Sequence, residues 1–279
     1  MIAWVCCSSK RSDSICQKTL KTLHVAGFTD TITIVVPHEE MVDYVKALEH
    51  SPVSYVLIGS PKGLVPQRRT ARDLFPEGQK MVFIDDDILG IRIRLNNKKP
   101  HVQNIHLTVK IFFEALDATV SLLWGVYPMA NAMFMDDRVS VGNQYIVGAF
   151  YGIINDPRFP EPETDHECED WDRQLREQSA GRPPLRFNYI GIDTRYFLNP
   201  GGIQRDPATR TGTVQMLIDR HPDLVKMKTR KDGRADLKFK RKTHWLAKAD
   251  PGSLIAQSIP AAQAAALCAP HAPSGQGPQ

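Results

Sequence analysis

Met81-Val82-Phe83-Ile84-Asp85-Asp86-Asp87-Ile88 sets three carboxylates directly behind an apolar run. The run is β-branched and aromatic, the composition of a buried strand. If the chain stays extended past Ile84, side chains alternate faces. Asp85 and Asp87 then share one side, with Cα atoms roughly 6.6 Å apart, and Asp86 takes the other. Two same-facing carboxylates at the end of a buried strand repel each other and are costly to desolvate, so they call for counter-charge. A hard divalent cation, Mg²⁺ or Mn²⁺, fits that need, because it keeps water and phosphate oxygens among its ligands. The triplet also fits a solvated acidic turn or a helix N-cap.

Outward from the triplet, towards the N-terminus, strands alternate with helices. Residues 63–75 read as a helix carrying Arg68, Arg69 and Arg72, and residues 53–58 as a strand ended by Gly59. Residues 38–50 read as a helix with an apolar stripe of Met41, Val42, Val45 and Leu48. Residues 31–36 form the next strand back, ended by Pro37. A further helical segment offers Ile15, Leu20, Leu23 and Val25 as core positions. The first strand, residues 2–7, is closed by Ser8-Ser9-Lys10-Arg11. This alternation predicts an α/β fold with a mainly parallel sheet and flanking helices. In such sheets ligands bind beyond the carboxyl ends of the strands, where both the triplet and Ser8–Arg11 fall.

Beyond the triplet the pattern is less regular. Residues 96–100 read as an exposed turn, about 102–123 as an amphipathic helix and 125–128 as a short strand. Residues 136–154, with Gly142 and Gly148, read as antiparallel β, and 157–165 as a Pro-rich acidic loop. A helix starts within 166–175, its acids in the first turn where the macrodipole favours them. Residues 185–192 read as a strand, 200–204 as a tight turn and 213–224 as a helix. From about residue 250 the Ala-, Pro- and Gly-rich tail is expected to be flexible, with a short helix near 261–267. The expected organisation is one domain over residues 1–249, with a nucleotide- and metal-binding half (about 1–95), an acceptor half (about 96–249) and a tail (250–279).

The chain has 279 residues, 42% hydrophobic and 24% charged, which suits one larger globular domain. The net charge of +4 does not demand a polyanionic partner, although lysines and arginines concentrate over residues 226–242. That run fits either contacts to nucleic-acid phosphates or a solvated edge strand. Five cysteines without a C-x-x-C pair argue for reduced thiols and a cytoplasmic setting. No basic leader precedes the first strand, and no apolar run reaches membrane-spanning length. His166 and Cys168 lack a second ligand pair at zinc spacing, and no G-x-x-x-x-G-K-[ST] phosphate loop occurs.

The strand-end triplet, the small polar residues after the first strand and the later Glu169-Asp170-Trp171-Asp172 together resemble a GT-A-fold glycosyltransferase. More narrowly, the chain resembles the TET-associated glycosyltransferases of phages, relatives of the glucosyltransferase that makes base J. Gly63-Leu-Val-Pro-Gln-Arg68, Glu169-Asp170-Trp171-Asp172 and Asn199-Pro-Gly-Gly-Ile-Gln204 with Arg210 carry this likeness over about residues 1–245. It implies transfer of a sugar, expected to be glucose, from a UDP-sugar to hydroxymethylated pyrimidines in DNA. Inversion of the anomeric centre is part of the same implication.

The leaving diphosphate needs its charge neutralised, which assigns Asp85 and Asp87 to Mn²⁺ or Mg²⁺ and Asp86 to ribose or sugar hydroxyls. Arg68 and Arg11 are candidates to steady the diphosphate or the base-ribose portion of the donor, and Ser8 to line its pocket. Gly202 would let backbone approach the donor closely. The acceptor hydroxyl must lose a proton, and Asp170, with Glu169 second, is the candidate base. Helix capping explains the same two acids. His244 is a candidate further metal ligand, since a late histidine completes the metal site in some GT-A enzymes. A GT-A enzyme acting on a glycan, lipid or protein, and a metal-dependent nucleotidyltransferase, fit the same residues.

Overall fold

The structure, a computed structural model, describes residues 1–95, 98–162, 167–194, 207–231, 233–240 and 244–245. The expected tail and the turn at 200–204 lie outside these residues. In the first half, β1 (Ile2–Cys7) leads into α1 (Ser12–Ile15) and α2 (Lys21–Val25), joined by a wide helical turn, Cys16–Leu20. Then come β2 (Thr31–Pro37), α3 (Met41–Ala47), β3 (Ser54–Ser60), α4 (Leu64–Asp73) and β4 (Lys80–Ile84). β1 pairs in parallel with both β2 and β4, and β2 with β3, as the alternation predicts.

The second half contributes β5 (Gly90–Ile93), α5 (Ile105–Asp117), β6 (Leu123–Tyr127), β7 (Val139–Val141) and β8 (Phe150–Ile154). It continues with α6 (Glu169–Ser179), β9 (Leu185–Asp193) and α7 (Pro207–Arg220). β10 (Val225–Thr229), β11 (Ala235–Phe239) and β12 (His244–Trp245) follow. One sheet runs through both halves in the order β12-β7-β9-β6-β8-β4-β1-β2-β3, with β5 also on β9. β1 to β4, β6, β9 and β12 run one way, and β5, β7 and β8 the other.

Alternation along the strands builds a core on each face of the sheet. Trp4, Trp124, Phe150 and Phe187 pack with Phe112 and Phe113 of α5 on one face. Val5, Phe83 and Tyr151 pack with Ala71 of α4 on the other, Phe83 and Tyr151 stacking at 5.2 Å between centroids. A third cluster joins Trp171 and Leu175 of α6, Val214 and Leu217 of α7, and Val225 and Leu237 of the hairpin. No helix among the described residues is long and apolar enough to cross a membrane.

Several expectations are corrected. The stripe on α3 is turned: Tyr44 and Leu48 are buried while Val42 and Val45 are exposed, because the Tyr44 hydroxyl meets Ser8 and fixes the helix rotation. Val25 is likewise exposed. The helix expected over 102–123 is shorter, Asn104 accepting from the Leu107 N–H as its N-cap (2.9 Å). Within 136–154 only β7 and β8 are strands, and the segment between them is irregular. The helix expected over 213–224 is α7, which starts earlier at Pro207 and ends at Arg220. The basic run is no edge of the main sheet: β10 and β11 form a separate antiparallel pair, with Lys226 opposite Lys238.

Candidate active site

At the end of β4 the chain stops being extended, and Asp86 and Asp87 sit in a turn. The strict alternation expected of the triplet is therefore broken. Arg11 Nη1 bridges Asp86 Oδ1 and Asp87 Oδ2 (3.0 Å to the latter), so these two carboxylates share a cation. Ser8 Oγ also donates to Asp86, and Thr194 Oγ1 to Asp87 (3.1 Å). Burial still pushes Asp86 up, because Arg11 and Ser8 offset only part of its desolvation. The turn is held from the first helical segment. Thr19 Oγ1 donates to the Asp85 carbonyl (2.6 Å) and accepts from the Ile88 N–H (3.0 Å).

Asp85 differs from its neighbours. Its N–H donates to the Ala149 carbonyl (2.9 Å), tying β4 to the start of β8. Its half-buried carboxylate has neither a hydrogen bond nor an ion pair among the described residues. Burial, followed by the charge of Asp87, pushes its pKa up to about 8. A carboxylate so short of positive charge fits a cation. Among the described residues no group of three or more His, Cys, Asp or Glu side chains could hold a metal. A divalent ion held there would have to draw most of its ligands from phosphate and water, as Mg²⁺ does.

The second acidic pair opens α6. Arg68 of α4, 2% exposed, donates from Nη1 to Glu169 Oε1 (2.7 Å) and from Nη2 to the Gly148 carbonyl (3.2 Å). Asp170, half-buried, accepts from the Tyr145 hydroxyl, the Trp171 N–H (2.8 Å) and the Gly148 N–H (3.3 Å). Burial and then the charge of Glu169 raise Asp170 to about 6, against the lowering by Tyr145 and the Trp171 N–H. Gly148 leaves room for this closeness: a Cβ there would sit 3.2 Å from both Arg68 Nη2 and Glu169 Oε1, so that these side chains would have to shift by a few tenths of an ångström. Since Ala149 holds Asp85 and Gly148 holds Asp170, consecutive residues tie the two acidic clusters together.

Behind the pair lies a buried ionic layer. Glu161 meets Arg72 Nη1 (3.3 Å) and Arg173 Nη2 (3.0 Å), and Arg173 lies over the Tyr151 ring at 4.4 Å. Burial alone would raise Glu161, but Arg173 and then Arg68 outweigh it and hold it down to about 2.

The structure thus gathers Ser8, Arg11, Arg68, Asp85, Asp86, Asp87, Glu169 and Asp170 at the carboxyl end of β1 and β4. Arg68, Ser8 and Arg11 all spend hydrogen bonds on protein groups: Arg68 on Glu169, Ser8 on Asp86 and Arg11 on the Asp86–Asp87 pair. His244 is set apart. Its backbone pairs with Val141 at the far edge, five strands from β4, which is about 24 Å at the usual strand spacing, so it is not retained as a ligand. Gly202 lies outside the described residues. Tyr145, Tyr44 and Thr194 were not anticipated. Only their distance in sequence from the residues they bind hides them, since no local motif surrounds them.

The chain matches no protein-family model and no curated protein. Several solved structures align with the chain at low identity. GalNAc-T7 with UDP, GalNAc and Mn²⁺ aligns at 12% identity over 80% of this chain and 49% of that one, with a TM-score of 0.46. The 4-diphosphocytidyl-2C-methyl-D-erythritol synthase of Anaerococcus prevotii aligns at 9% identity over 70% and 93%, with a TM-score of 0.42. CMP:2-keto-3-deoxy-manno-octonic acid synthetase complexed with CTP aligns at 10% identity over 78% and 98%, with a TM-score of 0.41.

Proposed function

We propose that this protein is a metal-dependent glycosyltransferase that moves a sugar from a UDP-sugar to the hydroxyl of hydroxymethylpyrimidine bases in DNA. The observation that carries this reading is the unpartnered Asp85 carboxylate, tied through Gly148 and Ala149 to a half-buried Asp170 with a pKa of about 6. Asp85 and Asp87 would hold Mg²⁺ or Mn²⁺, which when bound offsets the charge that develops on the leaving diphosphate. Asp170 takes the proton of the attacking hydroxyl on its carboxylate, and a base titrating near neutrality suits that task. Tyr145 and the Gly148 N–H orient Asp170. Arg68 fixes Glu169, so that the charge beside the base stays in place. The resemblance to phage DNA glycosyltransferases supports the nucleic-acid acceptor and glucose as the sugar.

The test is release of UDP from a panel of UDP-sugars, with and without Mn²⁺, on unmodified and hydroxymethylated DNA. Metal-dependent release that requires hydroxymethylated DNA, and is lost in Asp85→Ala and Asp170→Asn, is expected. Release that ignores DNA would move the acceptor to a glycan, lipid or protein. Pyrophosphate release from a nucleoside triphosphate, with no turnover of any UDP-sugar, would replace the reading with nucleotidyl transfer.

A further inference from the structure

Four described arginines are buried: Arg68, Arg72, Arg173 and Arg186. The first three each have a carboxylate oxygen of Glu169 or Glu161 within 3.3 Å. Arg186, on β9 and 8% exposed, has none among the described residues. Its Nε donates to Asn188 Oδ1 (2.7 Å), its Nη1 to the Tyr145 carbonyl (3.2 Å), and its guanidinium lies 5.0 Å over the Tyr127 ring. All three partners are neutral. Asp136, whose charge reaches it, is held by Arg138 at 2.8 Å. Burial brings the Arg186 guanidinium down to about 10.

A buried cation whose hydrogen-bond partners are all neutral is costly, and an anion arriving at its open edge would offset that cost. The edge exists. Nη2 makes no hydrogen bond among the described residues, yet it is not among the buried atoms sealed from solvent. Its place selects the anion. Tyr145 gives its carbonyl to Arg186 and its hydroxyl to Asp170, so a single residue spans the arginine and the proposed base. β9 lies three strands from β4, about 14 Å at the usual spacing, which separates Arg186 from the triplet where a donor diphosphate belongs.

We propose that Arg186, stacked on Tyr127, binds a phosphodiester of the acceptor strand while Asp170 addresses the acceptor hydroxyl. This rests on the nucleic-acid acceptor read above. The planar guanidinium suits it, since its N–H groups match phosphate oxygens. Arg186 is thereby a positioning and specificity residue that reads backbone rather than base.

The experiment compares the parent with Arg186→Met and Arg186→Lys, using the full chain. Thermal midpoints are followed with dimethyl phosphate as the phosphodiester probe and, separately, with UDP plus Mn²⁺. Dimethyl phosphate should raise the parent midpoint, fail to raise that of Arg186→Met and act partly on Arg186→Lys. The UDP shift should be alike in all three. In transfer assays on a hydroxymethylated dinucleotide, Arg186→Met should raise the acceptor KM about tenfold with little change in kcat, a loss near 1.4 kcal/mol. Equal stabilisation of parent and Arg186→Met by dimethyl phosphate, or none of the parent, overturns the proposal. So does loss of the UDP shift in Arg186→Met, which would assign the arginine to the donor. If Arg186→Met does not fold, a reduced dimethyl phosphate shift with a raised acceptor KM and an unchanged UDP shift in Arg186→Lys counts for the site, and a parent-like dimethyl phosphate shift and KM in that variant count against it. Failure of the donor reading shows separately, as absence of any UDP shift in the parent.

Discussion

At the end of β4 Asp86 and Asp87 share Arg11 while Asp85 has no ion pair among the described residues, whereas at the start of α6 two carboxylates have a donor or cation each. The first cluster is left short of positive charge, and Asp85 carries the deficit. The second is preorganised, with Arg68 on Glu169 and with Tyr145, Gly148 and Trp171 on Asp170. A site that must receive a cation gains from such a deficit. A site that must receive a proton gains instead from a fixed carboxylate whose pKa lies near neutrality. The two clusters also differ in what they ask of the fold, since the α6 cluster is cross-linked to α4 and to the start of β8.

If this contrast is right, substitutions in the two clusters part company. Asp170→Asn should lower kcat by about 10²–10⁴, the usual worth of a general base, with the donor KM unchanged. Because the folded pKa of Asp170 is raised from 3.8 to about 6, its ionisation costs stability as pH rises through that window. Asp170→Asn should therefore melt no lower than the parent above pH 6. A lower midpoint there, measured by calorimetry, would make the residue structural.

Next in size, Arg68→Met should destabilise the fold by about 3–5 kcal/mol, because Glu169 would be left buried and unpaired. Adding Glu169→Gln should restore much of that loss in urea titrations. If the double variant is as unstable as the single one, the ion pair is not the reason for the cost. Asp85→Asn should instead leave urea stability intact and cut transfer by about 10²–10³, with Mn²⁺-dependent UDP binding lost in calorimetric titration. Loss of fold in Asp85→Asn would break the contrast between a charge-deficient cluster and a structural one.

Much of this was legible in the sequence, and the reasons are local. The apolar runs of the first half are short, punctuated and separated by helical spacing, so β1 to β4 and their parallel direction follow from pattern, while their order in the sheet does not. The triplet announces itself because consecutive acids after a buried strand have few explanations. What failed was detail that depends on tertiary contact. The turn at Asp86–Asp87 answers to Arg11, 75 residues away, which periodicity cannot foresee. β5 is a four-residue strand paired at long range with β9, too short for a signal of its own. The irregular segment 142–149 looked like strand because its residues alternate, yet it is folded over to deliver Tyr145 and Gly148 to Asp170. His244 was attractive by residue type and misplaced by topology.

The smallest expected effect tests how the α6 cluster is tuned. The Tyr145 hydroxyl hydrogen-bonds the charged form of Asp170 and so lowers its pKa against burial and Glu169. Tyr145→Phe removes that bond, and the Asp170 pKa should rise above about 6. The base acts only when deprotonated, so the acid limb of the pH profile of kcat/KM should move to higher pH. The variant should then fall severalfold behind the parent at pH 6 and almost rejoin it at pH 8.5, an effect on the order of 1 kcal/mol, as for one hydrogen bond. The bond is made to the Tyr145 side chain, whereas Arg186 holds only the Tyr145 carbonyl, so the acceptor KM should stay near that of the parent. A pH-independent loss would mean that Tyr145 merely packs against Trp171, its rings stacked at 4.9 Å. A limb displaced to lower pH would mean that Asp170 is not the group being titrated.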